Sequence, residues 1–233
     1  VAANGTGSQF ADLAELNVSA LAIGSGGELF AGTSPDGKVY RIAADGKAEV
    51  YFDPKEKYIW ALAVLPDGLG VATGDGGRIY KVKAAGAARD ASLMFDTSET
   101  HVISLATDKQ GNLYAGSDSN GLVMRFGADG KPFGLLDSPL REIHELAVGP
   151  DGSVYALALG ESVSTPKPDA PKETAAVKPV TVARPGMPGT EPPAKSRYDL
   201  KDAKTAVYRI LPDGSVDLLW ASSTVTAFAI YAH

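Results

Sequence analysis

Ile59-Trp-Ala-Leu-Ala-Val64 decides the fold, because the chain writes this short strand five times. Its counterparts are Val18-Ser-Ala-Leu-Ala-Ile23, Val102-Ile-Ser-Leu-Ala-Thr107, Ile143-His-Glu-Leu-Ala-Val148 and Val225-Thr-Ala-Phe-Ala-Ile230. Leu21, Leu62, Leu105 and Leu146 fall 41, 43 and 41 residues apart, and Phe228 follows Leu146 by 82. A recurrence of about 40 residues built from short strands matches one four-stranded propeller blade. A β-sandwich, the competing all-β architecture, has no reason to repeat its strands at a fixed interval.

Each unit continues alike after this strand, here called A. Strand B follows a Gly-rich turn (Glu28-Leu-Phe-Ala31, Asn112-Leu-Tyr-Ala115). Strand C follows a second loop (Lys38-Val-Tyr-Arg-Ile42, Arg78-Ile-Tyr-Lys-Val82, Leu122-Val-Met-Arg-Phe126, Ala206-Val-Tyr-Arg-Ile210). An outer strand D ends near Phe52, Phe95, Leu136 or Trp220. Gly26-Gly27, Asp67-Gly68, Asp151-Gly152, Asp45-Gly46, Asp129-Gly130 and Asp213-Gly214 punctuate the A–B and C–D positions, where tight hairpins need residues that tolerate positive φ. Ala in the A strands suits the crowding of innermost strands around an axis. The expectation is an all-β chain: a propeller of four-stranded antiparallel blades, with about four complete repeats and partial blades at both ends. The partial blades are an A strand at Val225 to Ile230 and an outer strand near Gln9 to Leu13. So few repeats fit a segment of a larger propeller or a five-bladed ring shared between the termini.

Up-and-down topology puts the A–B and C–D turns on one face and the B–C and D–A connections on the other. The second face collects the variable loops, where binding residues usually sit. The fourth repeat breaks the pattern there: B ends at Gly160 and C begins near Thr205. The 161–204 insertion holds eight of the chain's 15 prolines and a net charge of +2, leaving −8 on the remainder of a chain whose total is −6. Pro-rich polar sequence cannot bury a core. Val177, Lys178, Val180 and Val182 form its most strand-prone stretch, a candidate for docking a partner by strand addition.

Ser104-Leu-Ala-Thr-Asp-Lys-Gln-Gly-Asn-Leu-Tyr-Ala115 and Glu145-Leu-Ala-Val-Gly-Pro-Asp-Gly-Ser-Val-Tyr-Ala156 resemble the NHL-type repeat and the related lactonase and streptogramin-lyase propellers. The resemblance covers four repeats and rests on turn and core positions, so it implies a fold without an activity. In those relatives, metal or acid–base residues gather at the channel mouth near the starts of the A strands. The matching zone here contains Tyr58, Trp60, His101, His144 and Glu145, with Asn17 beside them. Two imidazoles could serve a metal or act as bases, yet a catalytic metal generally takes three protein ligands. The competing reading has the histidines satisfied locally and Tyr58 and Trp60 packed between blades.

The remaining features exclude more than they assign. A pI that follows from 28 acidic against 22 basic residues argues against a phosphate-binding surface, so no nucleic-acid partner is expected. No apolar run is long enough to span a bilayer as a helix. Cysteine is absent, leaving the compartment open, with periplasmic or extracellular placement favoured. No cofactor is expected. The expectation for function is a non-enzymatic interaction module in a larger assembly, binding protein partners through the B–C/D–A face and the 161–204 insertion. The alternative is a metal-dependent lactonase- or lyase-like enzyme.

Overall fold

The computed structural model describes residues 3–83, 90–161 and 200–232, and every regular element among them is a β-strand. The strands form four antiparallel meanders. The first blade comprises β1 (Asn17–Ile23), β2 (Leu29–Ser34), β3 (Gly37–Ile42) and β4 (Ala48–Glu56); the second, β5 (Tyr58–Leu65), β6 (Gly68–Gly74), β7 (Arg78–Lys83) and β8 (Asp90–Asp96). The third comprises β9 (His101–Thr107), β10 (Leu113–Asp118), β11 (Leu122–Phe126) and β12 (Pro132–Asp137); the fourth, β13 (Glu142–Val148), β14 (Val154–Leu159), β15 (Thr205–Ile210) and β16 (Val216–Ser222). Within every blade the pairing runs in chain order, as the repeat predicts.

Turn chemistry sets the hairpins. Asp45, Asp129, Asp151 and Asp213 each accept a hydrogen bond from the backbone N–H two residues on, at 3.1, 3.2, 3.0 and 2.9 Å. The intervening Gly46, Gly130, Gly152 and Gly214 all hold a positive φ, between 69° and 87°. The aspartate supplies the local acceptor and the glycine the left-handed backbone, which is why the Asp-Gly pair recurs at these positions.

One face of each blade packs on the opposite face of the next. At the first junction Phe30, Val39 and Tyr51 meet Ile59, Leu62, Leu69, Val71 and Val82. Ala72 and Ile79 meet Val102, Leu113, Ala115 and Phe126 at the second. Tyr114 and Val123 meet Ile143, Leu146, Val154, Ala156 and Ile210 at the third. Burial peaks on the B strands rather than the innermost ones: β10 is buried at all six positions, whereas β9 is only partly so. A B strand is sandwiched between neighbouring blades, while an A strand leaves one edge toward the axis. Ser19 Oγ donates to the Ile59 carbonyl at 2.6 Å and Ser104 Oγ to the Ile143 carbonyl at 2.8 Å, clasping successive inner strands together.

All four inner strands carry the same irregularity. Ser19, Trp60, Ile103 and His144 are each one residue too many for the partner strand. Such a bulge bends the strand and re-aims the side chain. Beyond it, single bridges Gly74↔His101 and Asp118↔Glu142 join the end of one blade's B strand to the start of the next blade's A strand.

Two sequence expectations take a different local form. The 9–13 and 225–230 segments form no ladder, because a lone A or D strand has no B or C strand of its own blade to pair with. Both nevertheless occupy blade-like places. Glu56 at the end of β4 accepts from Arg78 Nη1 at 2.6 Å and Tyr80 OH at 3.2 Å. Glu15 repeats this one blade earlier, accepting from Lys38 Nζ at 2.6 Å and Tyr40 OH at 3.0 Å. The amino-terminal segment thus stands where the outer strand of a preceding blade belongs, with Ala11 and Leu13 packed near Ala31, Tyr40 and Ile42. At the other end, Ala227 N donates to Thr205 Oγ1 at 3.1 Å and Ile230 N to Glu145 Oε2 at 2.6 Å, laying the segment along the inner part of the fourth blade. Gly160 N donates to the Lys204 carbonyl at 3.0 Å, so the two ends of the Pro-rich insertion meet at the B–C turn.

Candidate functional site

The bridges and bulges together build the mouth. The row of A-strand starts and B-strand ends reads Tyr58, Gly74, His101, Asp118, Glu142 across three blades, each residue the Cα partner of the next. Trp60 and His144 arrive beside it as bulge residues. Tyr58 stacks on Trp60, with ring centroids 5.1 Å apart and planes within 16°. The His101 ring stands nearly perpendicular to both, at 6.2 and 5.8 Å.

His101 is 4% exposed, and its Nδ1 accepts from Trp60 Nε1 and from the Asp75 backbone N–H, both at 3.2 Å. Accepting at Nδ1 requires a neutral ring with the proton on Nε2. Burial pushes the imidazole below its ordinary pKa, against the opposing pull of Asp118 and Asp75, in the same direction as the geometry demands. A Cβ at Gly74 would overlap the Trp60 indole nitrogen, so only glycine leaves room for this contact.

His144 lies on the other side of the row. Its Nδ1 is 2.6 Å from Glu142 Oε1, a fully buried carboxylate. Glu145, adjacent in sequence, points elsewhere and receives Ile230 N. Arg141 Nε donates to Asp118 Oδ1 at 2.9 Å, and Asp118 is likewise fully buried. Glu99, 8% exposed, accepts from the Asn120 backbone at 3.2 Å and from its amide nitrogen at 2.8 Å, tying a D–A loop to a B–C loop. Among the described residues no group of three or more His, Asp or Glu is placed to hold a metal ion.

The structure therefore brings Tyr58, Trp60 and His101 together, sets His144 against Glu142, and turns Glu145 toward the carboxy-terminal segment. Val177, Lys178, Val180 and Val182 lie outside the described residues. The candidate site residues read from the sequence do not include Asp118, Arg141 or Glu142. The available signal was alignment: Glu142 precedes Ile143 as His101 precedes Val102 and Tyr58 precedes Ile59.

The backbone of this face is also unusual. Lys55, Asp75, Ser98 and Ser119 are the non-glycine residues with positive φ among the described residues, at 64°, 63°, 60° and 121°. Asp75, Ser98 and Ser119 belong to B–C or D–A connections, Lys55 is the penultimate residue of β4 at the same end, and none lies on the opposite face. A groove of about 540 Å³ on that opposite face is lined by the Asp108 and Asp151 turns and Ala232. A groove of about 610 Å³ on the mouth side is bounded by Ser119, Asn120, Arg141 and Gly160.

Comparison with solved structures shows a β-propeller fold. Over 89% of its length it superposes on 56% of a catalytically inactive histidine-to-alanine variant of virginiamycin B lyase from Staphylococcus aureus with quinupristin, at a TM-score of 0.61 and 11% identity. A streptogramin B lyase matches over 86% of this chain and 53% of that one, with a TM-score of 0.57 and 12% identity. A chain of the nidogen/laminin complex matches over 61% and 57%, with a TM-score of 0.55 and 16% identity. This chain thus spans little more than half the length of the structures it resembles. No protein-family model and no curated protein matches it.

Proposed function

We propose that this chain is a non-enzymatic interaction module, a subunit or domain of a larger assembly, that binds a protein partner through its B–C/D–A face. The observation that carries this reading is the concentration of left-handed non-glycine residues at that face: Asp75, Ser98 and Ser119 on its loops and Lys55 at the end of β4. Backbone strain of this kind persists where surrounding structure imposes it and clusters at active sites, ligand clamps and switch regions. The half-buried Tyr58–Trp60 stack offers a rigid aromatic anchor beside it, and the Pro-rich 161–204 segment joins the body on the same face. Tyr58→Ala, alone and combined with deletion of residues 165–196, tests the reading. A partner identified by cross-linking on this face should be lost with these changes and kept when Lys109, on the opposite face, becomes Ala. Undiminished cross-linking in the Tyr58 and deletion variants would refute it.

One observation favours a second reading, a lyase-like enzyme. Glu142 held 2.6 Å from His144 can orient that imidazole and fix its tautomer, leaving Nε2 for proton transfer. No step through a metal follows, since the carboxylates of the row are engaged by Arg141 and His144. Turnover of a cyclic ester or depsipeptide that disappears in His144→Ala, with folding intact, would establish this reading over the first.

A further inference from the structure

The three internal junctions show what covers the leading face of a blade, and the first blade lacks part of it. At the opening position of the inner strand, Ile59, Val102 and Ile143 are 0% exposed, whereas Val18 is 49% exposed. At the fourth position Leu62 and Leu146 are 9% and 7% exposed, whereas Leu21 is 62%. The strands further out are already covered: Ala31, Tyr40 and Ile42 are buried against the amino-terminal segment that stands in for a preceding outer strand. What remains is a groove of about 420 Å³ between that segment and β1, lined by Phe10, Leu13, Leu16, Val18 and Leu21. An inner strand is the missing element.

The chain carries that element at its other end. Residues 225–230 repeat the inner-strand sequence and lie along the inner part of the fourth blade, through Ile230 to Glu145 and Phe228 beside His144, at 6.1 Å between ring centroids. Val225, Phe228 and Tyr231 remain 51%, 61% and 85% exposed. Neither end covers the other, since Val18 and Leu21 at one and Val225, Phe228 and Tyr231 at the other all stay exposed. We infer that the groove beside β1 receives the 225–231 segment of a second copy, so that the fourth blade of one molecule docks head to tail on the first blade of another. The amino-terminal segment of one copy and the carboxy-terminal segment of its neighbour then supply the outer and inner parts of one shared junction. Such a contact joins two different surfaces and is heterologous. It does not rest on the partner-binding function proposed for the B–C/D–A face, although Phe228 stands beside His144.

Because each contact needs one intact copy of each surface, substitutions at the two ends behave in a diagnostic way. Sedimentation equilibrium of the unmodified chain should give masses of at least twice the chain mass as concentration rises. Leu21→Asp alone and Phe228→Asp alone should each sediment at the chain mass, and an equimolar mixture of the two should recover twice that mass. Both side chains are largely exposed in the single molecule, so far-UV circular dichroism and Tm should not change. Leu16→Asp, at a position 80% exposed, provides a second variant of the groove. A chain that remains monomeric at every concentration overturns the inference, whether its ends close on each other or wait for a different protein. Association that survives both substitutions overturns it as well.

Discussion

At the residue scale, His101 couples the mouth to pH. Its Nδ1 is an acceptor for Trp60 and the Asp75 backbone, and burial holds the ring below its ordinary pKa. The unfolded chain therefore binds a proton near pH 6.5 that the folded chain takes up only at lower pH. Stability from this group is fully present above that value, falls as pH drops through it, and levels off below the folded pKa. Tm should decline between about pH 7 and pH 5, and His101→Gln should flatten that decline even if it lowers Tm at pH 7. An identical slope in the variant would show that other groups govern acid sensitivity. His101 was legible as a mouth residue because it opens a repeat. Its acceptor role was not, since that depends on Gly74 admitting the Trp60 indole from the neighbouring strand.

At the scale of the strand, the repeat encodes two devices that differ in visibility. The Asp-Gly turns are readable directly, because acceptor and positive-φ residue are adjacent in sequence. The bulge in every inner strand is not readable, because it exists only relative to a partner's register, and it moves Trp60 and His144 into the mouth. The serine clasp is intermediate: Ser104 replaces a repeat alanine, yet its acceptor, the Ile143 carbonyl, lies one blade on. Ser104→Ala should cost about 1 kcal/mol in urea unfolding, since it removes a buried hydrogen bond. Ser19→Ala, at a less buried clasp, should cost less. Equal and negligible effects would mean the inner strands are held by packing alone.

At the scale of the molecule, blades that contact only their neighbours make stability depend on position. The second and third blades are covered on both faces, while the first blade and the carboxy-terminal segment are not. Amide exchange at concentrations too low for self-association should be slowest in β6 and β10 and fastest in β1 and residues 225–230. Uniform protection across all four blades would contradict this gradient. The blade, its strand order and its turns were legible in the sequence, because each rests on local chemistry repeated about every 41 residues. The resemblance pointed to a wider zone at the starts of the inner strands, Tyr58, Trp60, His101, His144 and Glu145, without saying which of them meet. Packing between blades sets His144 against Glu142 rather than Glu145, brings Asp118 into the row, and gives Lys38 and Tyr40 in Glu15 the partner that Arg78 and Tyr80 have in Glu56. Each of those contacts crosses from one repeat to the next or to a flanking segment, so its partner is fixed by blade packing and register and not by distance along the chain.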